Sequence, residues 1–235
     1  VNIHAVERFI GDQAIEHGWV PKHDAKPSKK TVLIIGAGPS GLSAAYHLTR
    51  FGHKVTIYEA GPVAGGMMSF GIPAYRLPRN IIEAEVKRIL DTGIELKLNH
   101  KVENVEHEMK TGKFDACFLA IGAHLAKRIH IPTPDTSKIL DAAGVLREME
   151  TGKNPPKLGR RVVVYGGGDT AVDVARTAKR LGAEETIIVY RSGPGQMKAH
   201  DFEVKEALEE GVKLNWLSTI KEMDASGSIK VEKME

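Results

Sequence analysis

Apolar positions along the chain follow two rhythms. Residues 3–16 place Ile3, Val6, Ile10 and Ala14 at helical spacing, and the polar, Pro- and Lys-containing stretch 21–30 then breaks the pattern, which predicts a short helical lead-in and a linker. From residue 31 the rhythm changes to continuous apolar runs of strand length. Residues 32–35 read as a buried strand, a glycine turn follows, a helix runs to about residue 51, and residues 54–58 form a second strand, together a βαβ unit. After a Gly- and Pro-rich loop at 61–78, the pattern predicts a helix at about 80–91 and strands near 94–98, 102–105 and 115–119. A helix at about 137–151, ended by Gly152, comes next.

At Asn154, Pro155 and Pro156 the pattern starts again. Strand 162–165, a glycine turn, helix 170–181 closed by Gly182, and strand 186–190 repeat the first unit element for element, at an offset of about 130 residues. A helix at about 201–210, strands near 212–216 and 220–223, a turn at Ser226 and Gly227, and a last strand follow. The expected fold class is α/β with two Rossmann-like dinucleotide-binding folds. The lead-in occupies 1–30, the first domain 31–155, and the second domain 156–235, which stops without an obvious ending.

The first glycine turn reads Gly36-Ala37-Gly38-Pro39-Ser40-Gly41 and lies between a predicted strand and a predicted helix. Gly36 permits the tight turn, Gly38 lets backbone amides approach a pyrophosphate, and Gly41 lets the helix pack closely on the strand. The helix N-terminus adds N–H donors and partial positive charge for the anion. Glu59 closes the second strand, where a carboxylate accepts hydrogen bonds from ribose hydroxyls and repels a 2'-phosphate. The second turn, Gly166-Gly167-Gly168-Asp169-Thr170-Ala171, is the variant with alanine in the last position. Arg191 stands where Glu59 stood, and Lys198 follows seven residues later. Two cations there favour the 2'-phosphate of NADP, with NAD as the alternative.

Composition narrows the picture. Lys and Arg number 33 against 30 Asp and Glu, a net +3 without blocks of one sign, too weak a balance to suggest a nucleic-acid binder. No apolar run approaches a membrane span. With no signal peptide visible, although the chain begins with Val, the expectation is a soluble, cytoplasmic protein. The single cysteine, Cys117, rules out a Cys-x-x-Cys pair or an iron–sulfur cluster held by this sequence alone, and the ten histidines show no metal-ligand spacing. A disulfide-reductase-type flavoenzyme is therefore disfavoured. A non-catalytic FAD-binding scaffold is the alternative from another class.

Taken together, the sequence resembles the small subunit of glutamate synthase and its relatives, including the nucleotide-binding domains of dihydropyrimidine dehydrogenase and the large subunit of NADH-dependent ferredoxin:NADP oxidoreductase. The resemblance is carried by residues 3–19, the first glycine turn, Gly65-Gly66, the run Phe70-Gly71-Ile72-Pro73-Ala74-Tyr75-Arg76-Leu77-Pro78, residues 118–123, and the stretch from Gly166 through Arg191 to Glu210. It implies that Gly36, Gly38, Pro39, Ser40, Glu59, Gly66, Arg76 and Val102 contact FAD, with the Gly122 backbone close by. It implies likewise that Gly168, Asp169, Thr170, Ala171, Arg191 and Lys198 contact NADP. Ser192 departs from the second arginine often found in the family, and Ile121 from its usual Thr. In relatives a helical domain with two iron–sulfur clusters precedes the first fold, and residues 3–19 look like its end. The implied activity is hydride transfer between NAD(P)H and FAD, with electrons exchanged with iron–sulfur centres of a neighbouring domain or catalytic partner subunit outside this segment.

Overall fold

The computed structural model describes residues 2–22, 25–123, 130–134, 139–150 and 157–234. The chain divides into two compact units, Val1–Phe70 with Ala74–Ala123, and Gly71–Pro73 with His124–Glu235.

In the first unit the lead-in is helix α1 (Ile3–Glu16), begun by Asn2, whose side chain accepts the Ala5 N–H. Strand β1 (Thr31–Ile35), helix α2 (Pro39–Arg50) and strand β2 (Lys54–Tyr58) form the expected βαβ unit. A short helix α3 (Met67–Phe70), helix α4 (Arg79–Leu90), strand β3 (Glu95–Lys97), helix α5 (Val105–Gly112) and strand β4 (Ala116–Leu119) complete it. The sheet is parallel in the order β3-β2-β1-β4. As a central strand, β1 needs apolar residues on both faces, which explains its unbroken hydrophobic run. Val32 and Ile34 join the core with Leu42, Ala45, Ile82 and Val86, while Leu33 and Ile35 join Tyr58 on the other face. Val102, Val105, Phe114 and the half-buried Cys117 pack on that second face, and burial pushes the Cys117 thiol up.

The expected strand at 102–105 is not formed. Residues 101–104 are irregular, and Asn104 Oδ1 accepts the His107 N–H at 3.0 Å to start α5, with Glu106 and Glu108 in the first turn. The two valines reflect burial against Tyr58 rather than strand pairing. Strand β4 is anchored through the residue before it. Asp115 accepts hydrogen bonds from the Lys30 ammonium (2.8 Å), the Thr31 N–H (2.8 Å) and the Thr31 hydroxyl (3.1 Å).

The second unit repeats the plan. Helix α6 (Ala142–Glu150) precedes strand β5 (Arg161–Tyr165), helix α7 (Asp169–Arg180), strand β6 (Glu185–Val189), helix α8 (Asp201–Glu209) and strand β7 (Lys213–Asn215). The strands form a parallel sheet in the order β5-β6-β7, followed by the antiparallel hairpin of β8 (Ser218–Met223) and β9 (Ile229–Lys233). The helix expected from residue 137 begins only at Ala142, where the Asp141 carboxylate accepts the Gly144 N–H at 3.0 Å. Its Leu146 is buried in the second unit's core with Val172 and Ala175. Residues 137, 138 and 151–156, and with them the expected domain break, lie outside the described residues.

Every residue of α7 from Ala171 to Ala178 is buried, because α6, α8, β5 and β6 all pack on it. The one guanidinium in that run, Arg176, is paired with Glu206 and Glu210, each at 2.7 Å, and Arg180 also reaches Glu210. Burial works to raise the Glu210 carboxyl, but hydrogen bonds from Arg176 and Arg180 prevail and hold it below the usual carboxylate range.

The bonds from Lys30 and Thr31 lower Asp115 from 3.8 to about 2. Its folded-state pKa is therefore depressed, so the carboxylate's stabilisation is present above the unfolded value and is lost as pH falls through the folded one. Asp115→Asn is expected to lower the thermal midpoint at neutral pH. The gap from wild type should close between 3.8 and about 2, which paired melts across the acid range would check.

Candidate nucleotide-binding sites

In the first turn each glycine is required by a different contact. Gly36 has φ +106, its N–H donates to the Tyr58 carbonyl at 2.8 Å, and a Cβ there would lie 2.3 Å from the Ala120 carbonyl oxygen. A Cβ on Gly41 would lie 1.9 Å from the Gly36 carbonyl oxygen, so α2 sits against the strand end with no room for a methyl group. Gly66, at φ +56, brings the loop after β2 against the turn, where a Cβ would be 2.8 Å from Gly38 Cα. Gly65 secures that loop by donating its N–H to the Ala37 carbonyl at 2.8 Å.

Gly38 precedes α2 in extended conformation, and no side chain caps the helix. The N–H groups of its first turn are thus left for an anion, beside the exposed Pro39 and Ser40. Glu59 is already oriented there. Its Oε2 accepts the Ala37 N–H and its Oε1 the Gly61 N–H, both at 2.7 Å. A carboxylate retains further acceptor positions, so ribose hydroxyls can add to these bonds. The fit to a dinucleotide lacking a 2'-phosphate is therefore chemical as well as geometric.

Gly36 to Gly41, Glu59 and Gly66 lie together at the end of β1. Val102, half-buried against Tyr58, and Gly122, exposed at φ +70, follow the carboxyl ends of β3 and β4. That is the sheet edge where α/β folds bind ligands. Arg76 is half-buried on the segment after α3, and its position does not of itself place it at the turn.

The second turn is built alike but more loosely. Gly166, at φ +143, donates its N–H to the Val189 carbonyl at 3.1 Å, and Gly168 precedes α7 with no side-chain cap. A Cβ placed on Gly166 would be 3.7 Å from that of Ala171, so alanine fits where the first turn needs glycine. Asp169 turns its carboxylate to the His200 N–H (3.3 Å), and Thr170 is exposed. Arg191 lies just beyond β6, is exposed, and makes no hydrogen bond or ion pair among the described residues. Lys198, also exposed, is brought to the turn by its backbone, since the Lys198 and Ala199 N–H groups donate to the Gly167 carbonyl at 2.9 and 3.0 Å.

The sequence reading missed the Ala37 and Gly61 amides that hold Glu59 and the Gly65 link. Only the doubled glycine at 65–66 signalled the latter. Among the described residues no cluster of His, Cys, Asp and Glu suits a metal ion, and no helix is long and apolar enough to cross a membrane.

Two strand–glycine turn–helix units, one followed by a fixed acid and the other by an exposed cation, define a tandem dinucleotide-binding module. The chain belongs to the pyridine nucleotide-disulphide oxidoreductase family, whose pattern matches residues 30–235. It is 38% identical over 240 residues to the NADP(+)-dependent formate dehydrogenase subunit beta of Moorella thermoacetica, covering 92% of this chain and 34% of that one. It is 36% identical over 247 residues to a putative glutamate synthase [NADPH] small chain of Cereibacter sphaeroides, covering 100% of this chain and 60% of that one. Among solved structures, a 2-naphthoyl-CoA reductase in complex with 2-naphthoyl-CoA matches with TM-score 0.71 and 25% identity, over 89% of this chain and 31% of that one. The chain thus spans between about a third and three-fifths of these curated relatives.

The two turns differ in tolerance. Gly41→Ala is expected to destabilise by about 3 kcal/mol or more, because the Gly36 carbonyl cannot move without opening the turn. Ala171→Gly should cost less, about 1–2 kcal/mol, the helix-propensity difference plus one buried methyl group. Urea unfolding of both variants measures the contrast.

Proposed function

We propose that this chain is the nucleotide-handling part of a flavin-dependent oxidoreductase of the glutamate synthase small-subunit type. It holds FAD at the first turn and NADPH at the second, and the electrons pass to iron–sulfur centres of a partner domain or subunit. The observation that carries the reading is the opposite character of the two strand ends, Glu59 fixed by two backbone amides and Arg191 exposed and without an ion pair among the described residues. The names of the relatives, an NADP(+)-dependent dehydrogenase subunit and an NADPH glutamate synthase small chain, support the same pairing.

The chain's residues bind and orient. FAD at such a site supplies two-electron exchange with a nicotinamide and one-electron exchange with a following carrier. Hydride transfer of this kind needs alignment rather than a side-chain acid or base, so no catalytic side chain is assigned. Helix α1 leaves Ile3, Val6, Phe9 and Ile10 between 49% and 65% exposed, a face suited to a further protein segment. That supports reading residues 1–30 as the end of an iron–sulfur domain. A cytoplasmic location goes with this function.

Anaerobic titration of the FAD-loaded protein tests the reading. Flavin absorbance should bleach at much lower NADPH than NADH. Equal response to both would remove the NADP preference, and no bleaching by either would favour a non-catalytic scaffold. Charge-assisted bonds of this type contribute about 1.5–3 kcal/mol. Arg191→Ala should accordingly raise the NADPH concentration needed by roughly ten- to a hundredfold and leave NADH nearly unchanged. Glu59→Gln turns one acceptor into a donor facing a backbone N–H. It should weaken FAD binding by at least about tenfold, as followed by flavin fluorescence.

A further inference from the structure

The residue between β6 and Arg191 is an aromatic that neither glycine pattern nor charge singles out. The backbone of Tyr190 is held on both sides, its N–H by the Asn215 carbonyl and its carbonyl by the Ser218 N–H, each at 3.0 Å. Its ring stands over the second glycine turn. A Cβ on Gly167 would lie 2.5 Å from two ring carbons, and Trp216 meets the ring in a T-shaped contact at 6.1 Å between centroids. Gly167 is not in the left-handed region, so a side chain is excluded there by the Tyr190 ring and not by backbone conformation. In the first turn the same position is an ordinary buried alanine, Ala37.

From this place the Tyr190 hydroxyl donates to the Gln196 carbonyl at 2.7 Å, at the end of a single 3-10 turn, Pro194–Gln196. The Lys198 and Ala199 N–H groups are fastened to the Gly167 carbonyl. The segment carrying Lys198 is thus tied to the glycine turn directly at 198–199 and through Tyr190 at 196. Arg191 follows Tyr190 in sequence, so one side chain relates both cations to the phosphate-facing backbone.

We infer that Tyr190 is a positioning residue for NADPH selection, holding the 191–199 segment so that Arg191 and Lys198 meet the 2'-phosphate together. The inference rests on reading the second turn as the NADPH site. NADH has no 2'-phosphate, so a loosened segment penalises NADPH and spares NADH, whereas a general loss of packing weakens both.

Tyr190→Phe keeps the ring and removes only the hydroxyl. Calorimetric titration of the FAD-loaded protein with NADP+ and NAD+ should show the NADP+ Kd rising about five- to tenfold, with NAD+ within about twofold. Arg191→Ala is measured alongside. If Arg191→Ala abolishes the preference for NADP+ and Tyr190→Phe does not alter it, the inference fails while the NADPH reading stands. Equal weakening of both nucleotides in Tyr190→Phe also overturns it. Equal affinity of the wild-type protein for the two nucleotides overturns the NADPH reading and the inference with it. Gly167→Ala, which forces the ring away, should reproduce the loss of discrimination if Tyr190 acts by position.

Discussion

Helix α2 lies so close to the end of β1 that the Gly36 carbonyl occupies the space of a Gly41 side chain. From that contact the rest of the first site follows. The close approach aims the helix N-terminus at the sheet edge, sets the Ala37 N–H against Glu59, and leaves the Gly65–Gly66 loop free to pass against Gly38. Pyrophosphate, ribose and protein backbone can be matched only because three backbone segments approach without side chains between them.

The second unit solves the same problem with wider spacing. Ala171 replaces the last glycine, and the bulk that β1 and α2 exclude is admitted elsewhere, as the Tyr190 ring over Gly167. One topology therefore yields two differently lined glycine turns through local substitutions. The strands and helices supply placement, and the residues just beyond β2 and β6, Glu59 and Arg191, carry the proposed choice of nucleotide.

Much of this was legible in the sequence because the signals are local. Strand-length apolar runs, glycines at fixed offsets and a charged residue closing each second strand are read within about 30 residues, and all survive in the structure. Helix α5 was misread because Val102 and Val105 look like a strand, although Asn104 followed by Glu106 and Glu108 is a helix start. Asp115 and Tyr190 were missed for another reason. Asp115 takes its partners from Lys30 and Thr31, and the Tyr190 ring takes its own from Gly167 and Trp216, so their roles appear only when distant segments meet. The unit to which α6 belongs is equally non-local, being set by Leu146 packing on α7.

The position of β4 bears on how the chain is made. β1 is the central strand of its sheet, yet one of its two neighbours, and the Asp115 bonds that fasten its first residue, come from some 85 positions later. During synthesis β1 and β2 can pair early, but one edge of β1 stays open and Leu33 and Ile35 lack their cover from Val105, Phe114 and Cys117 until residues 105–119 leave the ribosome. The nascent first unit is thus an unfinished sheet with a sticky edge for much of its translation, and its completion is timed by the arrival of its last strand.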